Sequence, residues 1–191
     1  MTVTDQQKWN QRYQAGSHAT QEVSPTLLDL EGVFPPAGKA LDVAGGAGRN
    51  SLWMAQRGLV VTLVDVSNVA LEIAEKRAVD LQVALTVERS DLEVNGLPKG
   101  PWDVILMHDF LHRPLFEEVS QQLSPEGVLV VVHPTIKNLE RHTTPSSRFL
   151  LQSGELRSLL EGLEILQLGE AWRADGRHAA VAVARPTQGV L

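Results

Sequence analysis

The chain has 191 residues, 43% of them hydrophobic and 21% charged, a length and balance typical of one globular domain. It contains no cysteine, which excludes disulfides, cysteine nucleophiles and thiolate metal sites. The net charge of -6, without a long basic run, argues against a nucleic-acid partner. No apolar stretch approaches the roughly 20 residues of a membrane helix, and the first residues do not resemble a signal peptide. We therefore expect a cytoplasmic protein without a membrane partner, either a monomer or a homodimer.

The sequence predicts helices and strands that alternate along most of the chain. Helices are predicted at 5–14, 26–32, 50–57, 116–123 and 153–160, and strands at 40–44, 60–64, 84–88, 102–107, 128–133, 164–171 and 178–185. Ser67 is a suitable N-cap for a further helix. Its core face would consist of small and aliphatic residues: Ala70, Ile73, Ala74, Ala78 and Leu81.

This alternation predicts an α/β fold with a Rossmann-like, mostly parallel seven-stranded sheet and helices on both faces. The two final strands, joined by a short turn near Asp175, predict an antiparallel edge hairpin. We expect one domain over 1–191, with cap helices in 1–34 and a possible substrate lid at 135–150. In such sheets ligands bind beyond the carboxyl ends of the strands, so the functional residues should follow the strands directly.

The most informative segment is the glycine-rich turn after the first predicted strand, Gly45-Gly46-Ala47-Gly48. Glycines between a strand and a helix let a ligand approach the backbone closely. A dinucleotide motif would need a third glycine where Ser51 stands, and a phosphate-binding loop would need a Gly-Lys-Ser/Thr sequence that is missing. The turn therefore favours another nucleoside ligand over these two.

Acidic residues mark the ends of the first three predicted strands. Asp42 lies before the glycines, where an anion would repel a pyrophosphate but suits a cationic ligand. Asp65 ends the second strand, where a carboxylate can accept hydrogen bonds from ribose hydroxyls, and Asp91 follows the third, where it could accept from an adenine amino group. Each could instead be an ordinary cap or backbone partner, but three at successive strand ends point to a nucleoside site.

Together these residues carry a family resemblance. The segment from Leu41 to Leu52, followed by Val60 to Ser67, resembles class I S-adenosylmethionine-dependent methyltransferases, in particular the tellurite-resistance and thiopurine methyltransferase-like group. The acidic-x-Gly-x-Gly-x-Gly pattern of that family falls on Asp42, Ala44, Gly46 and Gly48. Ala44 departs from it, and its methyl group is expected to narrow the methionine end of the pocket.

The resemblance implies S-adenosylmethionine as the cofactor and a short N-terminal helix, with Trp9 and Tyr13 on one face, that covers it. It extends through Phe110 to Arg113 and Leu123 to Gly127, and so spans most of the chain. The expected cofactor contacts are spread over the N-terminal helix and the strand ends: Trp9, Tyr13, Asp42, Ala44, Gly45, Gly46, Gly48, Asn50, Asp65, Val66, Asp91, Leu92 and Met107.

Candidate catalytic residues follow the fourth and fifth strands. His108, Asp109 and His133 could supply a general base if the methyl acceptor is a hydroxyl or an amine, whereas a soft sulfur, selenium or tellurium nucleophile needs none. We favour the other interpretation, in which His108 and Asp109 cap the strand and the following turn, and His133 is a hydrogen-bonded core residue. The six histidines do not show the spacing of a metal site.

The expected acceptor is a small molecule, for which two regions supply candidate contacts. His112 and Arg113 match the family resemblance, with substrate and packing roles equally open. The insertion 135–150 is basic within an acidic protein, through Lys137, Arg141 and Arg148, and a basic lid would suit an anionic substrate. A solvated loop is the other interpretation. Two other functions remain open, a nicotinamide-dependent oxidoreductase and a non-catalytic nucleoside-binding module.

Overall fold

The computed structural model describes residues 4–16 and 20–187. Seven α-helices lie at Asp5–Gln14 (α1), Pro25–Asp29 (α2), Arg49–Gln56 (α3), Asn68–Asp80 (α4), Leu92–Asn95 (α5), Phe116–Gln122 (α6) and Glu155–Leu159 (α7) among these residues. Seven strands lie at Gly38–Val43 (β1), Leu59–Asp65 (β2), Leu85–Arg89 (β3), Trp102–His108 (β4), Leu123–Pro134 (β5), Leu163–Trp172 (β6) and His178–Pro186 (β7). Short 3-10 helices complete the chain at Glu31–Val33, Arg113–Leu115, Ile136–Glu140 and Ser147–Phe149.

The strands form one sheet in the order β3-β2-β1-β4-β5-β7-β6. The first five strands pair in parallel, and β7 lies antiparallel between β5 and β6. The predicted fold class, including the antiparallel edge hairpin, is confirmed. This topology brings the carboxyl ends of β1, β2, β4 and β5 to the same edge of the sheet, where a ligand site is expected.

The central strands are buried on both faces, which is why they read as continuous apolar runs. In β4, Val104, Ile105 and Leu106 are fully buried and Met107 is 1% exposed. Alternate residues of the strand enter two different clusters, since Ile105 and Met107 pack on the face with α6 and α7, and Val104 and Leu106 pack on the face with α2 and α3. His108 continues the second set, so its side chain lies on the same face as Leu106.

The predicted core face of α4 needs one correction. Ala70, Ala74 and Ala78 are buried as expected, but Leu81 is 46% exposed and Leu71 is buried instead. Leu81 is the C-cap that follows Asp80, and at this end of the helix its side chain lies largely in solvent.

The structure also refines several predicted boundaries. Strand β5 begins at Leu123, five residues before its predicted start at Val128, and the insertion 135–150 contains two 3-10 helices rather than a plain loop. Within the described ranges, no helix is long and apolar enough to cross a membrane.

Helix α1 is anchored across the glycine turn by one polar side chain. The Asn10 Oδ1 atom accepts a hydrogen bond from the Ser67 hydroxyl at 2.7 Å, and its Nδ2 donates to Asn68 Oδ1 at 2.8 Å. Thr4 and Gln7 close the start of the helix with reciprocal capping bonds. Because a ten-residue helix is marginal alone, these contacts with the start of α4 fix its place over the sheet edge.

Candidate active site

A cavity of about 460 Å³ opens at the carboxyl ends of β1, β2 and β4. Thirteen of the residues proposed from the sequence line it: Trp9, Tyr13, Asp42, Ala44, Gly45, Gly46, Asn50, Asp65, Val66, Asp91, Leu92, His108 and Asp109. The lining also includes residues that were not among the proposed site residues, such as Asp5, Arg49 and Arg177. The cavity thus collects side chains from α1, three strand ends and the turn between β6 and β7.

The glycine turn leaves room for neighbouring side chains as well as for a ligand. A Cβ atom on Gly45 would lie 2.7 Å from the Asp42 carboxylate, and one on Gly46 would collide with the Tyr13 hydroxyl. Gly46 has φ +58, and Ala44 adopts a similar left-handed conformation with φ 54. The glycine that the family pattern has at position 44 would be unstrained there, whereas alanine is disfavoured.

Asp42 is buried with one carboxylate oxygen still available. Its Oδ2 accepts a 2.6 Å hydrogen bond from the Ser51 hydroxyl, while Oδ1 has no hydrogen-bond partner among the described residues. Burial raises the pKa of Asp42 to about 6, although the bond from Ser51 opposes this. An ionised carboxylate is costly here without a cation, so the position suits a positively charged ligand group.

Asp65 is fixed by backbone donors on both of its oxygens. Gly46 N donates to Oδ2 at 2.9 Å, and Ser67 N donates to Oδ1 at 2.8 Å. Burial raises the pKa of Asp65, while these backbone hydrogen bonds act against the rise. Each oxygen keeps a second lone pair, so this carboxylate can also accept two hydroxyl groups of a ligand.

Two aromatic side chains from α1, Trp9 and Tyr13, line one side of the cavity. Tyr13 is buried, its ring centroid lies 6.2 Å from that of Trp9, and its hydroxyl lies over Gly46. Burial raises the pKa of the Tyr13 hydroxyl, so it stays neutral and serves as a hydrogen-bonding group. At the far end, Asp91 caps α5 by accepting from Glu93 N at 3.1 Å, which leaves its other oxygen, Oδ2, for a ligand.

The other end of the cavity holds a histidine–carboxylate pair. His108 ends β4, and its Nδ1 lies 3.3 Å from Oδ2 of Asp109. The His108 Nε2 atom is buried and has no hydrogen-bond partner among the described residues. Asp109 adopts a left-handed backbone with φ 60, a conformation that a side chain rarely takes unless its surroundings hold it.

Two arginines also reach Asp109, and sequence reasoning missed both. Arg177 Nη1 donates to both Asp109 oxygens at 2.9 Å, and Arg49 Nη2 lies 3.6 Å from Oδ2. Burial alone would raise the pKa of Asp109, but the charges and hydrogen bonds of His108 and Arg177 outweigh it and hold that pKa far below its usual range. Asp109 and Arg177 lie 68 positions apart, so no local sequence pattern links them. The sequence predicted only that Arg177 follows the turn near Asp175.

Seven residues proposed from the sequence do not line the cavity: Gly48, Met107, His112, Arg113, His133, Arg141 and Arg148. For Met107 the reason is strand alternation, since it points into the core on the face opposite His108. Gly48 faces α4, where an added Cβ would lie 2.9 Å from the Cβ of Ala74.

Apart from His112, the remaining residues of that group are engaged in contacts within the fold. His133 is 3% exposed and its Nε2 lies 2.8 Å from the Phe149 carbonyl, and Arg113 pairs with Glu155. In the insertion, Arg141 stacks 3.7 Å above the Trp172 ring and Arg148 lies over Phe149. The packing interpretation therefore fits Arg113 and His133, and the basic insertion contributes no lining residue to the cavity.

The electrostatics of the cavity are dominated by acids. Seven carboxylates line it, from Asp5, Asp42, Asp65, Asp91, Glu93, Asp109 and Asp175, against the guanidinium groups of Arg49 and Arg177. A cleft of this sign attracts cationic ligands and disfavours a pyrophosphate. The described residues contain no cluster of three or more potential metal ligands.

Comparison with known proteins defines the class. Residues 40–127 match the family described as Methyltransferase domain, which covers β1 to the start of β5 and therefore most of the cavity. The predicted resemblance to methyltransferases is thus confirmed over this segment. The solved structures of similar fold include a TehB-like SAM-dependent methyltransferase from Corynebacterium glutamicum, which has a TM-score of 0.67 and 19% identity over 95% of each chain.

Particular relatives agree with this class. The putative methyltransferase YqeM of Bacillus subtilis is 30% identical over 137 residues, which cover 66% of this chain and 54% of that protein. The chain thus spans about half the length of this curated relative. TehB from Haemophilus influenzae has a similar structure, with a TM-score of 0.74 and 19% identity over 93% of this chain and 67% of TehB.

A third similar structure shows that this fold does not determine the reaction by itself. The [4+2]-cyclase SpnF has a TM-score of 0.74 and 17% identity, over 96% of this chain and 95% of SpnF. Because neighbours of one fold carry different activities, the reaction must be argued from the residues of the site.

Proposed function

We propose that this protein transfers a methyl group from S-adenosylmethionine to a small-molecule acceptor. The observation that carries the proposal is the acid-rich cavity above the glycine turn, where Asp42 keeps a buried oxygen without a partner. A cofactor with a sulfonium and an ammonium group supplies the positive charge that this arrangement lacks. A nicotinamide dinucleotide would bring a pyrophosphate to the same acids.

The residues present fit this cofactor along the whole length of the cavity. Asp65 would accept the ribose hydroxyls, Asp91, Val66 and Leu92 would surround the adenine, and Asp42 would face the charged methionine end. Tyr13 and Trp9 would cover it from α1. When bound, S-adenosylmethionine supplies an electrophilic methyl group, and the protein positions the partners and excludes water.

His108 is the residue best placed to act as a general base. The Asp109 carboxylate is ionised and can only accept, so the short contact requires the proton of the His108 ring to lie on Nδ1. Nε2 is then left with a lone pair that no described residue occupies. This is the arrangement of a base oriented by a carboxylate, and it favours an acceptor that loses a proton from oxygen, nitrogen or sulfur.

Among the residues that the structure describes, two permanent cations line the cavity and could meet an anionic group on the acceptor, Arg49 and Arg177. Both already face Asp109, so such a group would bind by sharing these guanidinium groups with that carboxylate. A small acid or a soft oxyanion would fit this wall. The basic insertion, by contrast, would contribute only to the long-range field.

The proposal is tested by incubating the protein with methyl-labelled S-adenosylmethionine and a panel of thiols, phenols, small carboxylates, tellurite and selenite. We expect label to reach at least one member of the panel and His108→Gln to lower its rate. Transfer that is undiminished in His108→Gln would point to a soft nucleophile that needs no base. A protein that does not bind S-adenosylmethionine at all would contradict the proposal.

A further inference from the structure

The turn between β6 and β7 delivers an arginine into the cavity from a distant part of the chain. Arg177 directly precedes β7, and its Nη1 bridges both oxygens of Asp109. Asp175 holds the same guanidinium from the other side, with Arg177 Nε donating to Oδ2 at 2.9 Å. The fork of Arg177 is therefore fixed at two points rather than free to follow a ligand.

The turn itself is anchored to the segment after β5. The Nε2 atom of His142 lies 2.8 Å from the Gly176 carbonyl, and Arg141 stacks on Trp172 at the end of β6. Asn138 exchanges hydrogen bonds with the backbone of His178, whose ring Nδ1 lies 2.7 Å from the Thr135 hydroxyl. The basic insertion thus holds the turn that presents Arg177, although it does not line the cavity.

Asp109 links these contacts to the proposed general base, because its carboxylate lies between Arg177 and His108. Its left-handed backbone is disfavoured for a residue with a side chain, so the contacts around it must hold it in place. Arg177 makes the shortest of those contacts to its oxygens, and the same carboxylate faces Nδ1 of His108. The other charged or titratable neighbours of His108 are Asp42 on β1 and His133 on β5.

We propose that Arg177 is a positioning residue that acts through Asp109 on His108, keeping the imidazole in the tautomer with its proton on Nδ1. This inference rests on the proposed function, because it assigns the arginine to the base of that reaction. The geometry that supports it is the unbroken chain of contacts from Arg177 to Asp109 to His108. Without Arg177, the Asp109 carboxylate would lose the partner that fixes both of its oxygens.

The test reads the His108 ring directly and needs no methyl acceptor. The full-length protein is labelled with ¹⁵N in its histidines, and the His108 signals are assigned by their loss in His108→Gln. Long-range ¹H–¹⁵N spectra then report which ring nitrogen carries the proton. We expect a single Nδ1-protonated tautomer in the parent and averaged ring nitrogen shifts in Arg177→Gln. Ring shifts in Arg177→Gln that match the parent would overturn the proposal.

Two further variants, one conservative and one a control, complete the test. Arg177→Lys retains the charge but lacks the second nitrogen that Asp175 holds, so it should fix Asp109 less firmly and give His108 shifts between those of the parent and Arg177→Gln. If Arg177→Gln fails to fold, Arg177→Lys carries the test, and parent-like shifts there count against the proposal. Arg185→Gln is the matched control, since it removes an arginine of the following strand, β7, that pairs with Glu164 and should leave His108 unchanged.

Calorimetric titration of the same samples with S-adenosylmethionine separates this inference from the proposed function. Parent-like binding in Arg177→Gln together with an unchanged His108 tautomer would remove the positioning role and leave the methyltransferase proposal intact. A parent that does not bind the cofactor would remove the methyltransferase proposal, whatever the tautomer of His108.

Discussion

The two ends of the cavity are built in different ways. At the proposed cofactor end, the carboxylate of Asp65 is held by backbone N–H groups of nearby residues, Gly46 and Ser67. At the proposed acceptor end, Asp109 is held by side chains from α3, β4 and the turn before β7. The first arrangement follows from a local strand–turn–helix geometry, whereas the second depends on ion pairs between distant parts of the chain. We therefore expect that substitutions can change cofactor binding and the methyl-transfer rate separately.

The largest expected effect belongs to the acceptor end. Replacing His108 by Ala or Gln should lower the methyl-transfer rate by roughly 10²–10⁴-fold for a protic acceptor, because the general base is lost. Cofactor affinity should change far less than the rate, because Asp65, which would accept the ribose hydroxyls, is held by backbone groups and not by His108. Single-turnover rates and calorimetric titration of the same protein check the two halves of this prediction. Equal losses in rate and affinity would show that the two ends are not separable.

The next effect concerns Asp42 and is a gain in stability. Its pKa rises from the usual 3.8 to about 6 on folding, which corresponds to about 3 kcal/mol of destabilisation once it is ionised. Because the folded pKa is the higher one, this cost is absent below about pH 4, grows as the pH rises towards about 6, and then remains. Asp42→Asn should therefore be more stable than the parent by about 2–3 kcal/mol at pH 7 and should bind the cofactor more weakly.

Urea unfolding of both proteins between pH 4 and 8 checks the Asp42 prediction, with Asp80→Asn, an exposed site at the end of α4, as control. The difference in unfolding free energy between Asp42→Asn and the parent should shrink as the pH falls. A constant difference across this range would mean that Asp42 does not titrate as its burial demands.

At the cofactor end, Asp65→Ala should weaken S-adenosylmethionine binding by about ten- to hundredfold. This corresponds to the roughly 1.5–3 kcal/mol of a buried charge-assisted hydrogen bond. Asp65→Asn is a gentler companion variant that keeps an acceptor on the side chain. Calorimetry gives the dissociation constants, and an unchanged constant in Asp65→Ala would remove this residue from the site. Asp91→Ala should have the smaller effect of the two, because Asp91 is exposed.

A smaller change is expected in helix α1. Its Asn10 contacts and the Tyr13 hydroxyl over Gly46 already dock it, so cofactor binding should slow hydrogen exchange in residues 5–16 rather than create the helix. Exchange measured by mass spectrometry with and without S-adenosylmethionine checks this. Identical exchange in both states would argue against α1 as a cover.

The smallest expected effect is that of Ala44→Gly. Glycine relieves the left-handed strain of about 1 kcal/mol but gains unfolded-state entropy of similar size, so the unfolding free energy should change by less than about 1 kcal/mol. Removing the methyl group should leave cofactor affinity equal or higher. Ala44→Val is the contrasting variant, which we expect to lose stability clearly because a branched side chain fits this backbone poorly. Thermal unfolding of all three proteins checks the order.

The same contrast explains what the sequence could predict. Asp42, Asp65 and the glycine turn were recognisable because parallel strands bring their carboxyl ends together and because the acids flank a short turn. The two arginines at Asp109 were not, since Arg177 comes from an antiparallel hairpin whose register the sequence does not specify. The basic insertion was correctly seen as distinctive, but its charges proved to stack on Trp172 and Phe149. Leu81 was misplaced because the sequence did not show where α4 ends.

Calorimetric titration of the parent protein with S-adenosylmethionine, its demethylated product and NAD decides which of these ligands the cavity binds. The acidic cavity predicts binding of S-adenosylmethionine and of the product at one site. It also predicts no measurable binding of NAD, whose pyrophosphate would face Asp42 and its neighbouring acids. Binding of NAD in preference to S-adenosylmethionine, or binding of neither, would contradict the account.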